Sequence, residues 1–164
     1  MNKPIESEFH TVRGYQLKKQ NRNRLTPALE DYLEMAYRLC GEEGYTRINK
    51  LSESLNVRPS SASKMVSRLM ELGFLEYDKL DSILLTEKGR TIGTYLLERH
   101  QIMERFFTLI GSENSFEETE LVEHMLSAYT VYRIQVLLEF FMQNAEVSQQ
   151  LKSFMEINRF SIPE

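Results

Sequence analysis

Apolar residues recur at helical spacing over most of the chain, with one short interruption of a different character. Leu29, Tyr32, Leu33, Ala36, Tyr37 and Leu39 form a stripe at three- and four-residue steps, which predicts an amphipathic helix. Thr26-Pro27 supplies an N-cap followed by proline at the first helical position, so this helix starts at Pro27 and runs to about Cys40, with Gly41 and Gly44 punctuating its end. A short helix over Ile48–Leu55 buries Ile48, Leu51 and Leu55. After the connector Asn56-Val57-Arg58, Pro59 opens a helix to about Leu72 with Ala62, Met65, Val66 and Leu69 inward and Gly73 as its stop. Phe74–Tyr77 and Ile83–Thr86 then read as two short strands around a polar turn from Asp78 to Ser82. Helical patterning resumes from Thr86-Glu87-Lys88-Gly89 to about Ile110, closed by Gly111. The S-x-x-E sequence of Ser115 to Glu118 has the form of a capping box, opening a helix to about Leu126. Tyr129–Asn144 and Ala145–Asn158 complete the series, whereas residues 1–25 show no periodicity and read as a flexible arm.

Helix, short helix, connector, helix and two-stranded hairpin is the order of a winged helix-turn-helix. The predicted fold is therefore mainly α: an arm over 1–25, a winged helix-turn-helix DNA-binding domain over 26–90, and a helical domain over 91–164. Readers of this type lay the second helix of the pair in the major groove. The outward face of the helix beginning at Pro59 carries Ser60, Ser61, Ser63, Lys64, Ser67 and Arg68, short donors and cations of the kind that contact phosphates and base edges. Arg47, Arg58 and Lys79 flank it, while Asp78 and Asp81 in the hairpin turn would repel phosphate.

Charge supports this division. The formal net charge is −4 over 164 residues, yet residues 1–100 hold 16 Lys and Arg against 14 Asp and Glu, and residues 101–164 hold 4 against 10. Six basic residues fall within 1–24 and five within 47–68. A solvated surface has the same appearance, so charge alone does not separate it from a phosphate-binding face.

The acidic half holds a second constellation. Glu120, Glu123 and His124 stand at i, i+3 and i+4, on one face of a single predicted helix; Asp31 and Glu34 share a face of the first helix, and His100 lies on the long one. Four carboxylates and two imidazoles on three helices can converge in a bundle, a donor set suited to Mn²⁺ or Fe²⁺, with the imidazoles also suiting Zn²⁺. Each residue alone is equally ordinary as solvated or packed surface, and spacing leaves both readings open.

Five stretches carry a family likeness: Ala28–Glu34, Val57–Val66, Leu85–Gly89, Arg99-His100 and Glu120–His124. From about Pro27 to Tyr132 the chain resembles the diphtheria-toxin-repressor family of metal-dependent regulators, and within it the short manganese-responsive branch. The resemblance implies a binuclear Mn²⁺ site, about two ions per chain, with Fe²⁺, Zn²⁺ or Cd²⁺ as competing ions. Residue by residue, it makes Asp31, Glu34, His100, Glu120, Glu123 and His124 the ligands, with Glu34 and Glu123 bridging. Iron-type relatives have methionine where Asp31 stands and cysteine where Glu120 stands; oxygen at both positions favours Mn²⁺. The iron-type relatives also carry an SH3-like domain, for which this chain ends too early. The resemblance further implies double-stranded operator DNA as partner, a homodimer formed through Tyr129, Ile134, Val136, Leu137, Phe140 and Phe141, and repression of metal-uptake genes when manganese is replete.

Other classes fit less well. No Glu-x-x-His pair precedes any histidine, since residues 7, 97 and 121 are Ser, Leu and Leu, so the helical di-metal enzymes lack their motif. No glycine-rich phosphate loop or nucleophile with a positioned base is evident, and no enzyme is expected. One cysteine, Cys40, excludes an internal disulfide framework. The absence of a long apolar run or signal core predicts a cytoplasmic protein with no membrane partner. A winged-helix regulator answering Fe²⁺, another divalent ion or an organic effector is the alternative, although an organic effector has no use for six convergent ligands and no organic cofactor is expected.

Overall fold

The computed structural model describes residues 25–158, so the basic arm expected over 1–25 lies, apart from Leu25, outside the described residues. Helix α1 (Pro27–Glu43) starts as predicted, with the Thr26 hydroxyl accepting from the Leu29 N–H at 3.3 Å. It continues through Gly41 and past Cys40, ending only at Gly44. The stop needs a left-handed residue, and Gly44 adopts φ +82 while its N–H reaches the Cys40 carbonyl at 2.7 Å.

Helices α2 (Ile48–Ser54) and α3 (Pro59–Glu71) form the helix-turn-helix pair. α3 closes with hydrogen bonds from the Gly73 and Phe74 N–H groups to the Met70 and Leu69 carbonyls, both 2.9 Å. The hairpin follows as β1 (Leu75–Tyr77) and β2 (Ile83–Leu85), antiparallel, with Leu75 opposite Leu85 and Tyr77 opposite Ile83. Each strand is one residue shorter than expected. Phe74 spends its N–H on the turn after α3, and the Thr86 hydroxyl caps the next helix, accepting from the Gly89 N–H at 3.0 Å. Thr46 adds a third rung, exchanging hydrogen bonds of 3.0 and 2.8 Å with Ile83.

Helix α4 (Glu87–Leu109) leads from the wing into the second half. Helix α5 (Ser115–Val122) lacks the expected capping box: Asn114 is its N-cap, Ser115 is already helical, and Glu118 accepts instead from the Ser112 hydroxyl at 2.8 Å. Nor does this helix reach Leu126. Residues Glu123–Met125 tighten into a 3-10 turn, then Leu126 is extended so that Ser127 can cap α6 (Ala128–Gln143) by accepting from Thr130 N–H. Helix α7 (Ala145–Ile157) completes the described chain.

The inward stripes meet as predicted: Leu33, Ala36, Leu51, Ala62, Val66, Leu69 and Ile83 are fully buried, and Leu96 of α4 joins them. α4 packs along α1 at very close range. A Cβ on Gly93 would lie 2.6 Å from the Tyr37 ring, and the Thr94 hydroxyl reaches the Tyr37 oxygen at 2.9 Å. α5 and α6 lean on the far part of α4, and α7 on α6. α6 buries only Val131 and Leu138, leaving Tyr129, Val136, Leu137 and Phe140 exposed, while Ile134 and Phe141 are half-buried.

Candidate metal centre and nucleic-acid face

The apolar stripe of α4 contains two polar intruders. Leu96, Arg99, His100 and Met103 are all buried at helical spacing, so Arg99 and His100 are carried into the interior by their neighbours. Glu34 is likewise drawn in on α1 beside Leu33 and Ala36, and Glu123, 1% exposed, is held by the 3-10 turn. One ligand atom from each of Glu34, His100 and Glu123 lies within 4.8 Å of the others.

The remaining predicted ligands border this triad. His100 Nδ1 is 3.4 Å from Glu123 Oε1 and 3.4 Å from Glu120 Oε1. His124 Nε2 is 2.9 Å from Asp31 Oδ1 and 3.8 Å from Glu123 Oε1. Glu123 thus stands between both imidazoles, and all six side chains form one contiguous group. They do not all project from regular helix faces, as the i, i+3, i+4 spacing suggested. Glu120 is on α5 while Glu123 and His124 belong to the tighter 3-10 turn, which separates His124 toward Asp31 and Glu120 toward His100.

The donor set suits a hard cation. Glu123 Oε2 is buried without a hydrogen-bond partner, which leaves a carboxylate with unfilled acceptor capacity at the centre of the group. Five carboxylates (Glu30, Asp31, Glu34, Glu120, Glu123) converge, and among the described residues only Arg99 and Arg38 pair with them as permanent cations. Arg38 engages Glu34 Oε1 at 2.6 Å from the exposed side. The titration of the group reflects this crowding. A hydrogen bond to Glu123 raises the His100 pKa, burial opposing it and the surrounding carboxylates adding to it. Burial pulls His124 down, but hydrogen bonds to Asp31 and Glu30 prevail and carry it up to about 10. Burial likewise raises Glu120.

Two residues of the cluster were not anticipated. Glu30 Oε2 accepts from His124 Nδ1 at 2.8 Å, and Arg99, 4% exposed, pairs with Glu30 Oε2 at 2.9 Å. A sequence signal for Arg99 existed: a cation on the Leu96–Met103 stripe requires a buried partner.

On α3, Ser60, Ser61, Ser63, Lys64, Ser67 and Arg68 are all exposed, as are Arg47, Arg58 and Lys79. Arg68 is paired with Glu71 at 2.6 Å, whereas Lys64 makes no ion pair among the described residues. Asp78 has a structural task in the wing. Its Oδ1 accepts from the Leu80 and Ser82 N–H groups at 2.7 and 2.8 Å, which hold its carboxyl below the usual range.

A winged helix-turn-helix with a basic outward face, joined by one long helix to a partly buried group of carboxylates and imidazoles able to hold a metal ion, has the form of a metal-responsive DNA-binding regulator. The chain belongs to the iron dependent repressor family: residues 24–82 match its N-terminal DNA binding domain and residues 86–152 its metal binding and dimerisation domain. It is 41% identical over 135 residues to the HTH-type transcriptional regulator MntR of Bacillus pumilus (strain SAFR-032), covering 81% of this chain and 94% of that protein. Among solved structures, it resembles the manganese regulator SloR with a TM-score of 0.63 and 28% identity, over 71% of this chain and 55% of that one. A ScaR structure with bound Zn²⁺ matches with a TM-score of 0.57 and 28% identity, over 68% and 54%. This chain spans about half the length of those two solved relatives. It is a metal-dependent DNA-binding transcriptional regulator and not an enzyme. No helix among the described residues is long and apolar enough to cross a membrane.

Proposed function

We propose that the chain is a Mn²⁺-activated repressor whose six-residue centre, Asp31, Glu34, His100, Glu120, Glu123 and His124, takes about two ions per protomer. The observation that carries this reading is the buried triad of Glu34, His100 and Glu123, brought within 4.8 Å from three separate elements. Glu123, which faces both imidazoles, would be shared between two ions, with Glu34 as the second shared carboxylate; four carboxylates favour Mn²⁺ over softer ions, although imidazole leaves Fe²⁺, Zn²⁺ and Cd²⁺ as competitors. The names of the relatives, a manganese regulator and a Zn²⁺-bound regulator, agree with that range.

A bound divalent cation supplies the positive charge that allows these carboxylates to sit together. The chain's own contribution is connectivity. Asp31 and Glu34 belong to α1, which also packs on α2 and α3; His100, Glu120, Glu123 and His124 belong to α4, α5 and the turn. Closing this group fixes α1 and the reading helix relative to the distal helices, and so selects one spacing of two α3 helices in a dimer. Arg47, Arg58, Ser60, Ser61, Ser63, Lys64, Ser67, Arg68 and Lys79 contact operator DNA. The exposed apolar residues of α6 form the homodimer surface. The working division is an arm over 1–25, a DNA-binding domain over 26–90 and a metal-binding and dimerisation domain over 91–164, in a cytoplasmic protein that represses metal uptake when manganese is replete.

Selection of duplexes from a random library tests this directly. With Mn²⁺, the protein should enrich a sequence with two related half-sites; with chelator it should enrich none. Equal enrichment under both conditions would overturn the reading.

A further inference from the structure

We propose that Glu30 and Arg99 are positioning residues of the metal centre: Glu30 fixes the His124 ring so that Nε2 is offered as the ligand atom, and Arg99 holds Glu30 and Glu123 in place. The inference rests on the metal-centre reading above and adds two residues that make no ligand contact of their own.

Three elements meet in this network. Glu30 lies on α1, Arg99 on α4 and His124 on the 3-10 turn. Glu30 precedes Asp31 directly in sequence, yet its Oε2 turns to His124 Nδ1 at 2.8 Å, while Asp31 Oδ1 takes the Nε2 side at 2.9 Å. A carboxylate on Nδ1 keeps a proton there, so the proton that His124 would give up to a metal is the one on Nε2, which faces Asp31 and Glu123. Carboxylate–histidine pairs of this kind orient metal-bound imidazoles and raise their basicity.

Arg99 explains why Glu30 stands where it does. Its Nη1 meets the same Glu30 oxygen at 2.9 Å and its Nε lies 3.6 Å from Glu123 Oε2, while its Nη2 approaches His124 Nδ1 to 3.0 Å without donating to it, because Nδ1 carries its own proton toward Glu30. Both Arg99 Nε and Glu123 Oε2 are buried without a hydrogen-bond partner. A guanidinium is permanently charged and presents donors in a fixed fork, so one buried side chain can place two carboxylates at a defined separation. A lysine has the charge without the fork.

A merely structural ion pair would stabilise the fold and leave metal affinity alone. Mn²⁺ binding, followed by loss of the free-ion paramagnetic resonance signal, and urea unfolding of metal-free protein separate the two roles. Glu30→Ala should weaken Mn²⁺ binding about 10- to 100-fold while the number of ions per chain stays at the wild-type value. Glu30→Gln, whose amide oxygen still accepts from Nδ1–H, should recover most of that affinity. Arg99→Lys should bind more weakly than wild type, and it provides a second reading if Glu30→Ala fails to fold. Wild-type affinity in Glu30→Ala accompanied by lower stability overturns the proposal, as does a Glu30→Gln protein no better than Glu30→Ala. Failure of the underlying reading has a different signature: wild-type protein that binds no Mn²⁺, or Glu123→Gln that binds it as wild type does, removes the centre itself and the proposal with it.

Discussion

Replacing Gly93 by alanine tests whether the α1–α4 contact sets both stability and the geometry of the metal centre. The added Cβ would meet three Tyr37 side-chain atoms at 2.6 to 2.7 Å. Ordinary carbon contact begins near 3.5 Å, so α1 and α4 must separate by roughly 1 Å or Tyr37 must leave its rotamer. Overpacking of this kind costs about 1–3 kcal/mol, for a chain of this size a fall in Tm of roughly 3–10 °C. The metal centre lies close enough to feel it. Glu34 is one turn before Tyr37 on the same face of α1, and His100 lies about 10 Å along α4 from Gly93 at 1.5 Å per residue. Opening the helices at Gly93 therefore moves Glu34 away from His100. Thermal unfolding of Gly93→Ala, with chelator and with Mn²⁺, should show a lower Tm in both conditions and a smaller Mn²⁺-induced rise than wild type. A variant with wild-type Tm and an undiminished Mn²⁺ rise would refute both the closeness of the contact and its coupling to the centre.

Other perturbations separate the two faces of the molecule. Glu123→Ala should abolish Mn²⁺-stimulated DNA binding while the circular dichroism spectrum stays helical, as measured by fluorescence anisotropy with and without the ion. Lys64→Ala should weaken DNA binding, leave Mn²⁺ affinity unchanged and lower the salt slope by about one; Arg68→Ala should cost less, because Glu71 already shares its charge at 2.6 Å. Metal loading needs neutral imidazoles, and in the metal-free protein His124 holds its proton up to about 10. Mn²⁺ affinity should therefore keep rising between pH 6.5 and 8.5, which calorimetry at three pH values checks. The same raised pKa stabilises the metal-free fold fully below the unfolded value near 6.5, and this contribution is lost as pH climbs through about 10. Urea midpoints with chelator should fall correspondingly on the alkaline side.

The parts of the fold written into local chemistry were readable from the sequence. Thr26-Pro27, Pro59, Gly73 and the 3.6-residue stripes located α1 and α3, because capping and burial are decided within a few residues. The errors arose where one local signal competed with another. Gly41 and Gly44 are both helix stops in principle, and only Gly44 takes the left-handed conformation. Ser115 and Glu118 have capping-box spacing, yet Asn114 takes the cap and Ser112 takes the glutamate. The 3-10 turn at Glu123 was hidden because a spacing of i, i+3 fits both helix types. At the centre, the six predicted residues are contiguous in space, whereas Glu30 and Arg99 went unnoticed. Their role depends on the approach of α1, α4 and the turn, which no periodicity of a single helix reports.

Calorimetric titration of chelator-stripped protein with Mn²⁺, carried out anaerobically in buffers of differing ionisation enthalpy, tests the central claim most directly. The account predicts saturation at about two ions per chain with net proton release from the ligand imidazoles. Absence of stoichiometric binding would contradict it, since the buried carboxylates and imidazoles would then be held together for some purpose other than metal.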